Sequence, residues 1–353
     1  MNKLFVRYFG FALALLLCSG AVRAEIVRDM YSAEVPVADQ SAAALVRASR
    51  LGLSEVLVKV SGSVEVLGNP LVKAAKRGAR DRLQRYAYSP DPDIAGALLV
   101  KMLFDSAYIT QLVIEAGLPL WTANRPLALL WLVEDAAGGR QYVNVETAPA
   151  LVTALRGEFS RRGVPLQLPL YDLSDTAALS PGQAWSLDGA AVLEASARYN
   201  LENVLVGRFA RLATGQVAGE WVYLRENERL ARSVTVENEE LFLREGVSLV
   251  AEAMAARYAV AATANDGGLT MSVTGVVGYA DYAAIVAWLE ELELVERANI
   301  EKVEGDVILL RLQAQADATQ LATIIELNKR LIPLPDTISG ADRTAQLNYQ
   351  WLK

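Results

Sequence analysis

The chain has 353 residues, of which 34 are basic and 41 acidic, and it contains one cysteine and no histidine. This composition excludes Ser-His-Asp triads, histidine general bases and zinc sites of the Cys/His type. The net charge of −7 disfavours nucleic acid as a partner, because that affinity rests on lysine and arginine.

Residues 1–24 are typical of a cleaved signal peptide. Two basic residues precede an apolar run, and Val22 and Ala24 stand at the two positions that a signal peptidase selects. The run is roughly half of the ~20 residues that span a bilayer, so we expect a periplasmic protein with no transmembrane anchor after cleavage. Cleavage removes the only cysteine and leaves about 330 residues, which is more than one core usually holds.

The first module, residues 25–120, is predicted to be a small α+β unit. Either Asp39 or Ser41 is suited to cap its first helix, and residues 56–62 either end that helix or form a short strand. The elements follow in the order strand, helix, helix, strand, strand, helix, at residues 25–37, 41–56, from 70 onwards, 83–88, 98–104 and 105–117.

A basic run over residues 73–85 stands out against the acidic chain and is interpreted as the surface of the second helix. Its cations are Lys73, Lys76, Arg77, Arg80, Arg82 and Arg85. The run is either a solvated helix face or a docking face for an anionic envelope component such as a phospholipid or a glycan phosphate. Binding that falls with salt would distinguish the two.

The second module, residues 121–262, is predicted to be an α/β domain. Residues 126–133 are continuously apolar, as in a strand that is buried on both faces. Strands at 164–170 and 204–209, a hairpin at 219–236 and helices at 147–162, 190–199 and 239–260 complete the pattern. Strands that alternate with helices indicate a mostly parallel sheet, here with an antiparallel edge hairpin.

The third module, residues 268–335, is predicted to be a second α+β unit in the order strand, helix, strand, strand, helix. This order repeats that of the first module if one extra helix is allowed for, and both modules end in a helix behind an acidic cap, Asp105 or Asp317. The tail, residues 336–353, is polar but ends in aromatics that either dock back or lie loose. The fold class is therefore α/β and α+β.

Catalytic motifs are scarce. We find no glycine-rich phosphate loop, Gly-x-Ser-x-Gly elbow or Ser-x-x-Lys pair, and we expect no cofactor and no metal. Asp172, Asp175 and Asp188 follow a predicted strand end, where α/β domains often bind ligands. They are either acid–base or metal-binding groups, or loop residues and helix caps. Glu134 and Asp135 end a buried strand and face opposite ways.

Three segments carry a family resemblance: AEVPVADQSAAALVRASRLGLSEVLVKVSG at 33–62, VLGNP at 66–70 and GLPLWTANRPLALLWL at 117–132. Together they resemble the uncharacterised proteobacterial envelope family named domain of unknown function twenty sixty-six. That resemblance implies export and brings no catalytic residues. The central pattern is similar, at the level of fold, to the TolB amino-terminal domain, LpoB and FlgT, which does not fix a function.

Nine polar or aromatic positions inside these segments are candidate binding residues: Asp39, Gln40, Arg47, Arg50, Lys59, Ser61, Trp121, Asn124 and Arg125. The alternative is structural, with Asp39 capping a helix while Trp121 and Arg125 fasten one module to the next. Pro126 forces an extended backbone on Arg125. Residues 118–133 are therefore not one element: the closing helix of the first module ends before them, and the first strand of the second module begins near Pro126. This favours a joint between the two modules.

We therefore expect an exported, non-enzymatic protein that binds another component of the cell envelope, most simply a protein. The alternative is a carboxylate-based enzyme or small-ligand receptor that acts on an envelope substrate through residues 172–188, with or without a divalent ion bound by the carboxylates.

Overall fold

The computed structural model describes residues 24–91, 97–261, 268–328, 330–334 and 345–352. The predicted signal peptide, apart from its last residue, and nearly all of the predicted linker at 263–268 lie outside the described residues, as does part of the predicted tail.

The N-terminal unit is a three-stranded antiparallel sheet under a long helix. Its elements are β1 (Ala24–Ile26), β2 (Ser32–Val37), α1 (Ala42–Ser61), α2 (Pro70–Ala75), β3 (Leu83–Pro90), β4 (Leu98–Phe104) and α3 (Ser106–Glu115). The sheet runs β2-β4-β3, so β2, with Pro36, is the edge strand that the sequence predicts. The segment at 56–62 ends α1, and Gly62 closes the helix with a φ of 79°. An alternation of β-branched residues belongs to a helix here, because residues 56–61 are all buried and every side of this part of the helix can be apolar.

The predicted basic helix is not one helix. After α2 the chain tightens into a 3-10 segment at Lys76–Arg82, and Arg85 already belongs to β3. Gly78 lies inside that segment with non-helical angles, which fits the low helical propensity of glycine.

Two short pairings close the joint that follows α3. The strands β5 (Pro119–Leu120) and β6 (Asn124–Pro126) pair with β13 (Val260–Ala261) and β1 respectively, so segments from distant parts of the sequence meet here. Extended backbone at Arg125 is what Pro126 predicts.

The central unit is a three-layer arrangement around a mixed sheet. Its strands are β7 (Ala128–Ala136), β8 (Gly139–Tyr142), β9 (Leu166–Gln167), β10 (Asn203–Arg211), β11 (Val217–Arg225) and β12 (Glu228–Val236). Its helices are α4 (Pro149–Arg162), α5 (Leu173–Ala178), α6 (Pro181–Trp185), α7 (Gly189–Ser196) and α8 (Glu239–Tyr258). One apolar core joins α4 and α8 to one face of the sheet, and another joins the α6 and α7 region to the opposite face. Buried on both faces, β7 is continuously apolar for the reason that the sequence indicates.

The expectation of a mostly parallel sheet needs correction. Only β10 and β9 run parallel to β7, whereas β8, β11 and β12 add antiparallel pairings. The strand predicted at 164–170 shrinks to β9, and β8, α5 and α6 were not predicted at all. A hairpin as short as β7–β8 offers too few residues for a clear periodic pattern.

The C-terminal unit is a five-stranded sheet with two helices. Its elements are β14 (Leu269–Thr274), α9 (Tyr279–Glu290), β15 (Val295–Glu304), β16 (Val307–Ala314), α10 (Ala318–Leu327), β17 (Leu331–Pro333) and β18 (Leu347–Trp351). The sheet order is β15-β16-β14-β18-β17. Of the two alternatives for the tail, docking is therefore confirmed for its described part, since β18 lies inside the sheet with Tyr349 only 2% exposed.

The two flanking units repeat one topology. In the main sheet of each unit, the strand before the long helix, β2 or β14, pairs with the second strand of the hairpin that follows, β4 or β16. An aspartate caps the closing helix in both, Asp105 for α3 and Asp317 for α10. One continuous apolar core contains buried side chains of both units. The α/β and α+β class is confirmed, and the module boundaries near 120 and 262 stay predictions.

Candidate functional site

The nine candidate residues divide into two groups near opposite ends of α1. The first group is buried: Lys59, Ser61, Trp121, Asn124 and Arg125. The second group is exposed: Asp39, Gln40, Arg47 and Arg50. A helix of 20 residues is about 30 Å long, so Asp39 and Arg125 do not share one site.

Arg125 is the centre of the buried group. Its side chain is fully buried, and all its hydrogen bonds go to backbone carbonyls. Nε donates to Thr122 at 2.9 Å, Nη1 to Gly163 at 2.8 Å and Arg162 at 3.3 Å, and Nη2 to Lys59 at 2.7 Å and Trp121 at 2.8 Å. The fork geometry of the guanidinium therefore ties the end of α1, the joint and the end of α4 together.

Trp121 and Gly163 enclose this guanidinium. The Arg125 Cζ lies 3.7 Å from the centre of the Trp121 ring, which is a cation–π contact. Gly163 caps α4 with a φ of 66°, and a Cβ atom built there would stand 2.7 Å from Arg125 Nη1 and 2.8 Å from Lys59 Cγ. Glycine is thus required twice, by the backbone conformation and by the close approach.

Lys59 lies beside the Arg125 guanidinium, and its side chain also donates to backbone carbonyls. Its Nζ donates to the backbone oxygens of Asp29 at 3.1 Å and Ser32 at 2.9 Å. Burial lowers the pKa of Lys59 from 10.5 to about 8; Glu55 opposes that fall and Arg125 adds to it. Ser61 bonds the Leu57 carbonyl within its own helix.

Three buried cations meet at the joint without a carboxylate partner. Neither Lys59 nor Arg125 nor Arg162 forms an ion pair within the described ranges. Burial lowers the pKa of Arg125 to about 9 and that of Arg162 to about 10. The nearby Glu293 accepts the Ala123 amide at 2.8 Å, and burial raises its pKa. Carbonyl oxygens use up the Arg125 donors, so this group supports the structural alternative for Trp121 and Arg125.

The exposed group lies just before α1 and in its first half. Ser41, not Asp39, caps the helix, because its hydroxyl accepts the Ala44 amide at 3.1 Å. The structural role expected for Asp39 is therefore wrong; its carboxylate accepts the Ser41 amide at 2.8 Å, outside the helix. Gln40, Arg47 and Arg50 project into solvent.

We use the term basic surface for the six cations of residues 73–85. All are exposed except the half-buried Lys76, and none forms an ion pair with a carboxylate in the part of the chain that the structure describes. Arg82 lies over the Tyr108 ring at 4.1 Å. The chain thus presents concentrated, unpaired positive charge despite its acidic balance.

The edge strand β3 borders the basic surface. Tyr86 is 47% exposed, and its ring meets that of Tyr88 edge-on at 5.9 Å. A recess of about 500 Å³ opens between Arg80, Arg85 and Tyr86. Desolvation raises the pKa of Tyr88, and the neighbouring Tyr86 raises it further.

The carboxylates that the sequence offers as acid–base or metal-binding groups cap helices or bond to neighbouring side chains. Asp172 caps α5 and receives two bonds from Arg198, at 2.7 and 3.0 Å, which hold its pKa down at about 2. Asp175 is fully buried between Arg198 and the hydroxyl of Tyr199, while Asp188 caps α7. No group of metal-ligating residues occurs among the described residues. Glu134 is buried and paired with Arg211, and Asp135 is exposed on the opposite side, as expected.

Two contributors to the joint were missed in the sequence, Arg162 and Glu293. A helix-ending basic residue at 162 and an acidic residue at 293 give no local signal. Their contacts span 100 and 170 residues, so only the tertiary fold reveals them.

Comparison with known proteins adds a family for the N-terminal unit. Residues 24–122 match the model of Domain of unknown function (DUF8605). The segment therefore fits an uncharacterised family, but a different one from domain of unknown function twenty sixty-six, and the match gives no support to the likeness to TolB, LpoB and FlgT. No curated protein matches the chain. Across the described ranges, no helix combines the length and apolar character that crossing a membrane requires.

Proposed function

We propose that the chain is an exported, non-enzymatic protein of the cell envelope that binds an acidic face of another envelope protein through the basic surface. The signal-like residues 1–24 motivate export to the periplasm. The observation that carries the proposal is the concentration of six cations within residues 73–85 of a chain of net charge −7, since none of the six forms an ion pair with a described carboxylate.

The neighbourhood of the charge favours a protein over a lipid surface. The edge strand β3 offers backbone groups along one side, and Tyr86 stands exposed beside Arg80 and Arg85. Tyrosine and arginine are enriched in protein interfaces, where their planar groups stack and hydrogen-bond. The carboxylate-based alternative has no comparable support, since Arg198 and helix amides already occupy Asp172 and Asp175.

The proposal is tested by crosslinking the exported chain in cells and recovering its partners. The variant Arg80→Glu with Arg85→Glu removes the basic character, and Arg229→Glu with Arg297→Glu makes the same change in net charge at exposed sites elsewhere. We expect one partner that the wild type and the control recover in proportion to the chain and that the first variant loses.

Equal recovery by both variants would contradict a role for the basic surface. Retention of the purified chain on anionic phospholipid vesicles, lost with the first variant and unaccompanied by a crosslinked protein, would replace the protein partner with a membrane.

A further inference from the structure

A groove runs along the edge of the central sheet that β9 forms. A cavity of about 680 Å³ lies between residues 27–29 of the N-terminal unit and residues 156–166 of the central unit. A second cavity, of about 450 Å³, continues along residues 144–146 and 166–171. Arg156 and Leu166 line both cavities, so the two form one elongated groove.

The floor of the groove is a free strand edge. β9 pairs with β7 on one side, and no other described strand pairs with its outer side. Outward-facing backbone N–H and C=O groups at such an edge are ready to bond an added extended chain.

One end of the groove is apolar. Val145 is 62% exposed and Leu170 is 70% exposed, and both line the second cavity. A single exposed leucine is ordinary, whereas two large and strongly exposed apolar side chains on one recess favour a binding surface.

The first cavity and its junction with the second carry positive charge. Arg28 and Arg156 are exposed and form no ion pair within the described ranges. The carboxylate of Asp29 lies 3.8 Å from the Lys101 ammonium, and its backbone oxygen holds the buried Lys59. Glu146 stands at the apolar end and repels an anion there. An acidic group therefore fits at Arg156 and Arg28 and nowhere else along the groove.

We propose that this groove binds an extended peptide segment of a partner protein. The segment adds to the free edge of β9, places an acidic side chain against Arg156 and Arg28, and places aliphatic side chains against Val145 and Leu170. An elongated site with a free strand edge, exposed apolar side chains and positive charge fits a peptide strand better than a compact small molecule. This inference is independent of the basic surface.

The test selects displayed short random peptides against the full exported chain and measures their affinity by fluorescence anisotropy. We expect the binders to combine Asp or Glu with aliphatic residues. Arg156→Glu is expected to weaken them about tenfold or more, since it removes a charge-assisted bond and adds repulsion. A Glu→Lys exchange in the peptide should restore binding to that variant, and Leu170→Asp should weaken binding without lowering the melting temperature. The control Arg229→Glu lies on β12, at the opposite edge of the sheet, and should leave affinity unchanged.

Hydrogen exchange supplies a second readout, because strand addition should slow exchange of the outward-facing amides in residues 166–168 when the peptide is bound. Selected peptides that bind Arg156→Glu and Leu170→Asp as well as wild type would overturn the proposal. A chain that selects no peptide but dimerises, and becomes monomeric with Leu170→Asp, would assign the groove to a second copy instead.

Discussion

At the scale of single residues, Arg125 explains why a polar insert interrupts the apolar residues 118–133. Its guanidinium bonds carbonyls from the end of α1, the joint and the end of α4, and it stacks on Trp121. An apolar side chain of equal size leaves those carbonyls without donors, which is costly in a buried place. The arginine therefore stabilises the join between units.

Replacing Arg125 tests that role. We expect Arg125→Ala to lower the free energy of unfolding by about 3–5 kcal/mol, because it leaves several buried carbonyls unpaired and opens a cavity. Arg50→Ala removes an equally large but exposed side chain of the same candidate set and should change stability by less than about 0.5 kcal/mol. Urea unfolding measures both, and equal effects would refute the structural assignment.

Gly163 gives a sharper version of the same test. Both Gly163 and Gly117 have positive φ, 66° and 63°, but only Gly163 has neighbours at the position of a Cβ. Gly117→Ala therefore reports backbone strain, about 1 kcal/mol, while Gly163→Ala should cost at least 1–2 kcal/mol more through contact with Arg125 and Lys59. Matching melting temperatures for the two variants would show that the Arg125 and Lys59 side chains move aside without cost.

Lys59 predicts a pH dependence of stability. Its pKa is about 8 in the folded chain and 10.5 in the unfolded chain, so the unfolded state binds more protons between these values. Stability from this residue therefore rises with pH across that window. Relative to Lys59→Met, the wild type should gain about 2–3 kcal/mol between pH 8 and 10, because folding releases the Lys59 proton in this window and that release costs less as pH rises. Urea unfolding at several pH values checks this, and a constant difference would contradict it.

At the scale of elements, the sequence predicts most helices and long strands, because their apolar periodicity extends over many residues. The sequence does not reveal β8 and α5, which are short. It also predicts β9 and the basic helix to be longer than they are, because tertiary contacts decide where these elements end. In the candidate set, Arg125 and Trp121 could be placed at a joint from Pro126 and Gly117, but their partner Gly163 could not. No local pattern links residues 38 positions apart.

The strand β18 carries the element-scale prediction. It lies between β14 and β17, and Tyr349 packs into the shared core of the flanking units. Tyr349→Ala should cost about 3–5 kcal/mol, as expected for a buried aromatic. Tyr349→Phe keeps the ring and loses only the 3.2 Å bond to Glu326, so we expect a loss below about 1.5 kcal/mol. Calorimetry of the two variants measures this, and a stable Tyr349→Ala protein would mean that β18 is dispensable.

At the scale of the whole molecule, buried and exposed cations have different roles. At the joint, backbone carbonyls accept the hydrogen bonds of the buried Lys59, Arg125 and Arg162. The six cations of the basic surface, in contrast, have no ion-pair partner among the described residues. The basic surface lies wholly within residues 24–122, the segment that matches a family model, and the joint lies partly within it. The account is thus of a firmly joined scaffold that presents one positive face.

The most direct test of this account is the salt dependence of affinity for the purified crosslinked partner. We expect binding by the wild type to weaken steeply as salt rises, and the variant Arg80→Glu with Arg85→Glu to bind at least about tenfold more weakly at low salt, with a flatter salt dependence. The control Arg229→Glu with Arg297→Glu should follow the wild type. Affinity that is independent of salt, or lost equally in both variants, would contradict the claim that the basic surface recognises the partner.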